Sequence, residues 1–117
     1  MSNVTKIRNA TLGAKKNLRK EVVELEGGIK IEVRQPIHRS RSALSEKATK
    51  DGQIDNTLFM IHSVIELCFD PETGEKVFTD ADVDAMLSEP SGDSYVDKLF
   101  DSVIKVMGAN VDDAVKN

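Results

Sequence analysis

Three kinds of side chain in this 117-residue sequence could do chemistry: a run of alternating aspartates, two histidines and one cysteine. Asp80, Asp82 and Asp84 are spaced like the first ligands of a calcium-binding loop. Such a loop also needs glycine at its sixth position and glutamate at its twelfth, where this sequence has Ala85 and Ser91. We therefore interpret the aspartates as carboxylates at the positive end of a helix and expect no calcium site.

The two histidines and the cysteine are too scattered to suggest a metal centre. Zinc sites usually take four ligands from closely spaced pairs, whereas His38, His62 and Cys68 lie far apart in the sequence. A catalytic cysteine needs a nearby base, and Cys68 stands between Leu67 and Phe69, where burial would raise its pKa. The sequence has neither a phosphate-binding loop nor a nucleophile elbow. We expect no metal, no cofactor and no enzymatic activity.

The composition is that of one globular domain with an ordinary core. Apolar residues make up 39% of the chain and charged residues 31%, with a net charge of −4. Aromatic residues make up only 4%, which argues against stacking on nucleic-acid bases. One cysteine excludes an internal disulfide, and no apolar run approaches the roughly 18 residues of a membrane span. We expect a soluble cytoplasmic protein with neither nucleic acid nor membrane as its partner.

Charge is divided unevenly between the two halves of the chain. Residues 1–50 hold twelve basic and five acidic side chains, whereas residues 51–117 hold four and fifteen. This asymmetry is compatible with an interaction surface, with a self-complementary assembly, or with two ordinary solvated faces. No block of like charge reaches five consecutive residues, which favours the last interpretation.

A β-hairpin is predicted for residues 21–34, because apolar and polar residues alternate on both sides of Gly27-Gly28. A two-residue loop would mix the two faces, so we predict a three-residue loop, Glu26-Gly27-Gly28. This loop aligns three cross-strand pairs: Leu25 with Ile29, Val23 with Ile31, and Glu24 with Lys30. Residues 1–20 show no sustained period and are interpreted as a flexible, irregular N-terminal arm.

About four helices are predicted to follow the hairpin. The first is opened by Pro36 and closed by Lys50-Asp51-Gly52, and the second spans residues 55–69 with Asp55 as its N-cap. A turn at Asp70-Pro71-Glu72-Thr73-Gly74 leads to a short third helix, capped by Thr79 with Asp82 three residues later. The fourth runs from about Ser94 to Met107, with Gly108 as its C-terminal cap. The fold class is therefore α+β: a predominantly helical single domain over residues 21–108, with a frayed tail at 109–117.

The order of these elements carries more information than any one of them. A strand exit at residues 31–36 leads into a helix that bears Arg39 and Arg41. The central apolar helix then runs into the turn-and-cap segment 69–83, and the closing helix ends at residues 106–108. This series, over about residues 20–110, resembles the tail assembly chaperones of long-tailed bacteriophages.

The resemblance implies a non-enzymatic assembly factor of the host cytoplasm that is absent from the mature virion. Such proteins bind the phage tape-measure protein, keep it soluble and help to recruit the tail-tube protein. The resemblance supplies no catalytic residue. A chaperone of this kind needs an apolar groove with a charged rim, for which the candidates are Val96, Phe100, Val103, Met107, Arg39 and Arg41. The four apolar candidates could equally form the domain's own core.

Two other functions remain open at this point. The chain could be a structural tail or connector component of the virion. It could also be a small nucleic-acid-binding regulator that uses the basic residues Lys15, Lys16, Arg19, Lys20, Arg39 and Arg41.

Overall fold

The structure, a computed structural model, describes residues 2–13 and 17–108. The helices in these ranges are α1 (Asn3–Thr11), α2 (His38–Ala48), α3 (Asn56–Leu67), α4 (Val83–Leu87) and α5 (Tyr95–Val106). The strands are β1 (Lys20–Glu24), β2 (Lys30–Arg34), β3 (Thr49–Lys50), β4 (Gln53–Ile54) and β5 (Cys68–Phe69). The predicted α+β class, mostly helical with an N-terminal hairpin, is confirmed.

The β1–β2 hairpin has the predicted register. Val23 lies opposite Ile31 and Glu24 opposite Lys30, and the Leu25 N–H donates to the Ile29 carbonyl across 2.7 Å. Both glycines of the three-residue loop adopt positive φ, which glycine does without steric cost. One face of the hairpin is therefore apolar and available to the core.

The strand β5 corrects the prediction of one continuous helix over residues 55–69. The helix α3 ends at Leu67, and β5 pairs antiparallel with β2, so that Cys68 lies opposite Val33. An isolated hairpin is only marginally stable, and β5 satisfies main-chain groups along its second edge. The guanidinium of Arg34 on β2 lies 4.2 Å from the centre of the Phe69 ring on β5, which is a cation–π contact between the two paired strands.

Residues 3–11 form a helix, where an irregular segment was predicted. Ser2 caps it by accepting the Thr5 N–H across 3.1 Å, and none of the nine residues of α1 is buried. The sequence signal was weak because this helix has no core-facing stripe. The flexibility of the arm stays a prediction, and the predicted frayed tail at 109–117 lies outside the described residues.

The segment after α2 is a second small hairpin instead of a simple helix end. Asp51 and Gly52 both adopt positive φ, as the two central residues of a type I′ turn do, and they join β3 to β4. At the other end of α2, Pro36 precedes the N-cap residue Ile37 and is not in the first helical turn as predicted. Both differences are local, and α2 keeps its predicted place in the chain.

The predicted turns and caps around α3 and α4 are present. The Asp55 carboxylate accepts the Leu58 N–H across 2.9 Å, and that of Asp70 accepts the Glu72 N–H at the same distance. Asp82 accepts the Thr79 N–H across 2.8 Å, as a capping-box carboxylate does. The Asp55 bond fixes where α3 begins, the Asp70 bond fixes the turn after β5, and the Asp82 bond fixes the 3-10 turn Asp80–Asp82 that leads into α4.

The core forms where α3, α5 and the hairpin meet. The helix α3 packs between α2 and α5, and α5 also packs on β1 and β2. Buried residues from all these elements make one cluster, including Val33, Leu44, Ile61, Val64, Leu99 and Val103. As a result α5 is packed between α3 on one side and the β1–β2 hairpin on the other.

Candidate partner-binding surface

The structure divides the six residues predicted from the sequence for partner binding. Val96 and Val103 are buried in the core, so they serve the domain itself. Phe100 and Met107 are partly buried against that core. Arg39 and Arg41 are both exposed on α2. Only Arg41 lines a groove together with Met107, the residue that follows α5.

A groove opens where the C-terminal end of α5 meets the start of α2. Its volume is about 530 Å³. We call it the basic groove, and its lining residues are Asn17, Leu18, Gln35, Pro36, Ile37, His38, Arg41 and Met107. Of the predicted set, Met107 and Arg41 come together here, whereas the other four residues do not line it.

Long-range hydrogen bonds hold the N-terminal wall of the basic groove in place. The Gln35 N–H donates to the Arg19 carbonyl across 2.8 Å, and the Gln35 side-chain oxygen accepts the Arg19 N–H across 3.0 Å. The Arg19 guanidinium then donates from Nε to the Val106 carbonyl across 2.9 Å. These bonds place Leu18, which precedes Arg19, beside Pro36 at the groove.

The end of α5 is shaped to accept that arginine. Gly108 follows the helix with φ of +89°, the left-handed conformation that favours glycine after a helix. A Cβ at this position would lie 2.8 Å from Nη2 of Arg19. A side chain at position 108 would therefore require the end of the Arg19 guanidinium to shift.

The basic groove combines apolar side chains with one positive charge. Leu18, Pro36, Ile37 and Met107 supply the apolar surface, and the Ile37 side chain is 50% exposed. Arg41 supplies the positive charge, and the described residues that line the groove include no carboxylate. A groove of this kind suits an amphipathic helix that carries acidic residues beside its apolar stripe.

Cys68 and the aspartate run, which were considered for catalysis or metal binding, have structural roles. Burial raises the pKa of the Cys68 thiol to about 12, so this thiol stays protonated at neutral pH. Asp80 pairs with Lys47 across 2.9 Å, and the hydrogen bond from Lys47 lowers the pKa of the Asp80 carboxyl. The Asp82 carboxylate closes a capping box with Thr79 at the 3-10 turn Asp80–Asp82, so the aspartate run leads into the helix α4, as interpreted from the sequence.

Within residues 2–13 and 17–108, no group of three or more histidine, cysteine, aspartate or glutamate side chains is arranged to hold a metal ion. None of the helices in those ranges has the length and apolar character needed to cross a membrane.

Sequence reasoning missed most of the basic groove. Leu18 is a single apolar residue in a polar segment, and Ile37 is a half-exposed residue at the N-cap of α2 that no sequence pattern marks as part of a surface. The signal that could have found it is the isolated Leu18 next to the charged Arg19, since a lone apolar residue beside a hairpin often packs locally. Met107, which lines the same groove as Leu18, is far from it in the sequence, so no local pattern connects the two residues.

The architecture is that of a small α+β domain in which a three-stranded antiparallel sheet packs with helices. No protein-family model matches the chain, and no curated protein sequence matches it. Among solved structures it superposes on one described as "Structure of bacteriophage HK97 tail assembly chaperone", with a TM-score of 0.55 and 15% sequence identity. The match covers 88% of this chain and 97% of that one. The fold implied by the resemblance noted in the sequence is thus confirmed.

Proposed function

We propose that this protein is a non-enzymatic tail assembly chaperone of a long-tailed bacteriophage. The observation that carries the proposal is the fold match, which extends over 97% of the HK97 tail assembly chaperone chain. In this role the protein binds the tape-measure protein in the host cytoplasm, keeps it soluble, helps to recruit the tail-tube protein, and leaves before the virion is complete.

The basic groove is the surface that this function would use. A tape-measure protein is long and helical, and its apolar stripes aggregate when they are left exposed to water. A groove of about 530 Å³ lined by Ile37 and Met107 can cover such a stripe over a helical turn or two. The guanidinium of Arg41 in the same lining would select stripes flanked by Asp or Glu.

The test is co-expression of this chain with the tape-measure protein encoded in the same genome. Ile37→Asn removes a half-exposed apolar side chain from the groove, and asparagine is favourable at a helix N-cap, which is where Ile37 stands. Ile54→Asn is the matched control, because Ile54 is also 50% exposed but lies on β4. We expect the soluble, co-purified tape-measure protein to fall several-fold with Ile37→Asn and to stay unchanged with Ile54→Asn.

Two outcomes would count against the proposal. If the tape-measure protein is as insoluble with the wild-type chain as without it, the chaperone function is wrong. If Ile37→Asn and Ile54→Asn behave alike, the basic groove is not the binding surface. Detection of the chain in purified particles would instead favour a structural virion component.

Of the cations considered for the nucleic-acid alternative, two in the described residues have partners within the domain, whereas Arg39 and Arg41 are exposed on α2. The Nε–H group of Arg19 is bonded to Val106, and Lys20 lies 3.8 Å from the Glu32 carboxylate. Lys15 and Lys16 lie outside the described residues. A regulator of this kind would bind DNA with a steep salt dependence, which a titration at low salt would detect.

A further inference from the structure

The chain leaves α5 beside the basic groove. The helix α5 ends at Val106, Met107 lines the groove, and Gly108 adopts the left-handed conformation that ends a helix. Residues 109–117 come next in the sequence and lie outside the described residues. We call them the trailing segment. It begins two residues after Met107, so it is tethered at the groove itself.

The trailing segment combines apolar side chains with negative charge. Val111, Ala114 and Val115 have the spacing that places side chains on one face of a helix. Asp112 would border that face at 3.6 residues per turn, and Asp113 comes directly after it. Two aspartates and one lysine leave the segment with a net negative charge. This is the pattern of an acidic amphipathic segment, the class of ligand that the basic groove suits.

The helix α1 leads to the same groove from the N-terminal side but has the opposite charge. The chain that follows α1 includes Asn17 and Leu18, which line the groove. The charged residues of α1, Lys6 and Arg8, are both basic. Like charges would oppose the approach of α1 to Arg41, whereas the carboxylates of the trailing segment would be attracted. Of the two segments, the trailing segment is therefore the complementary occupant.

We propose that the trailing segment folds back and docks into the basic groove of its own chain. Val111 and Val115 would cover the side chain of Ile37, which is 50% exposed in the described structure. The Asp112 carboxylate would face the guanidinium of Arg41, and the described lining of the groove holds no carboxylate to oppose it.

The lengths of chain fit this arrangement. Residues 107–110 would form the connection, and two to five residues are enough to join two antiparallel helices. Residues 111–117 as a helix would be about 10 Å long, or about two turns. That is the length of apolar stripe that the basic groove can cover.

The short tether makes a weak contact sufficient. A segment held by a few residues meets its site at an effective concentration of about 1 mM. An intrinsic dissociation constant of about 0.1 mM would then keep the segment docked about nine-tenths of the time. The frayed tail predicted from the sequence would be the released form of this segment.

Docking makes the basic groove autoinhibited. An acidic amphipathic helix from another protein must displace the trailing segment, so its apparent affinity would fall about tenfold. The apolar side chains of the groove would be shielded from water until such a partner arrives. That this partner is the tape-measure protein rests on the proposed function, whereas the docking of the trailing segment does not.

The test is backbone ¹⁵N relaxation NMR of the full chain, with no other protein present. We expect the order parameters of residues 111–115 to lie above about 0.6, the value below which a backbone is flexible. They should stay the same on dilution, because docking within one chain does not depend on concentration. Order parameters below this value at every concentration would overturn the proposal. A fall on dilution would overturn it as well, because it indicates docking between copies.

Charge reversal tests whether the basic groove is the site. Arg41→Glu is expected to lower these order parameters below about 0.6, because like charges then face each other. Arg39→Glu is the matched control, since Arg39 is exposed on the same helix and does not line the groove. Adding Asp112→Arg and Asp113→Arg to Arg41→Glu is expected to restore the order parameters.

Two results with these variants contradict docking in the basic groove. One is an equal effect of Arg41→Glu and Arg39→Glu, and the other is a failure of the reversed charges to restore the order parameters. None of these measurements involves the tape-measure protein, so failure here is separate from failure of the proposed function.

Discussion

The Nε–H of Arg19 donates to the main-chain carbonyl of Val106 across 2.9 Å and joins two residues 87 positions apart. The last carbonyl groups of a helix have no partner within the helix, and a cation near them is favourable. Arg19 thus closes α5, holds the N-terminal segment against it, and completes one wall of the basic groove. The same bond serves stability and the shape of the surface.

Arg19→Met tests the stabilising part of this contact. Methionine keeps an apolar stem of similar length but removes the donor, so the Val106 carbonyl loses its partner. We expect the free energy of unfolding to fall by about 1 kcal/mol, measured by urea denaturation followed by circular dichroism. Arg39→Met, at an exposed position on α2, is the control and should change the free energy by less than about 0.5 kcal/mol. Equal effects of the two substitutions would contradict the role given to Arg19.

Gly108→Ala tests the approach of Arg19 to the end of α5. The new Cβ would lie 2.8 Å from Nη2 of Arg19, in addition to the strain of a left-handed alanine. Gly92→Ala is a matched control, because Gly92 has φ of +93° but no atom within 4 Å of its added Cβ. We expect both to be destabilising by about 1 kcal/mol from backbone strain, and Gly108→Ala by more.

The cost of Gly108→Ala should shrink when Arg19→Met is already present. Urea denaturation of the four chains in this double-mutant cycle measures the coupling directly. Strict additivity of the two substitutions would show that Arg19 and Gly108 do not restrict each other.

Asp97 gives the protein a stability that depends on pH. The Ser94 main-chain N–H donates to its carboxylate across 3.2 Å, and this bond lowers the pKa of the carboxyl in the folded chain. A depressed pKa contributes stability above the unfolded value of about 3.9, and that contribution is lost as the pH falls through the folded value. We therefore expect the difference in unfolding free energy between pH 6 and pH 3 to be smaller in Asp97→Asn than in the wild type.

Asp101→Asn is the control for this measurement, since Asp101 is exposed on the same helix. Urea denaturation at the two pH values gives the comparison for each variant. An acid sensitivity in Asp97→Asn equal to that of the wild type would show that the cap at Ser94 is not the source.

The parts of the fold that were predictable are those whose signal is local. The register of the β1–β2 hairpin follows from two glycines flanked by alternating apolar residues, because loop length and strand period then allow one pairing. The strand β5 was not predictable in this way. Leu67, Cys68 and Phe69 continue an apolar helical pattern, and only the unpaired edge of β2 turns the last two into a strand.

The proposed partner-binding surface was less predictable than the fold for the same reason. Met107 and Arg41 were named as candidates, but nothing local indicates that both line one groove. Leu18 and Ile37 become part of a surface only through the bonds between Arg19, Gln35 and Val106, which connect distant segments. Val96 and Val103 were proposed from helical spacing, and spacing alone does not separate a core face from a docking face.

The sole thiol of the chain is buried in the core at Cys68, while the residues of the β3–β4 hairpin are exposed to solvent and do not line the basic groove. A cysteine introduced at Lys50, beside the Asp51-Gly52 turn, would consequently be the reactive one under native conditions. A fluorophore attached there leaves the basic groove untouched, so the protein carries a ready position for following its encounters one molecule at a time.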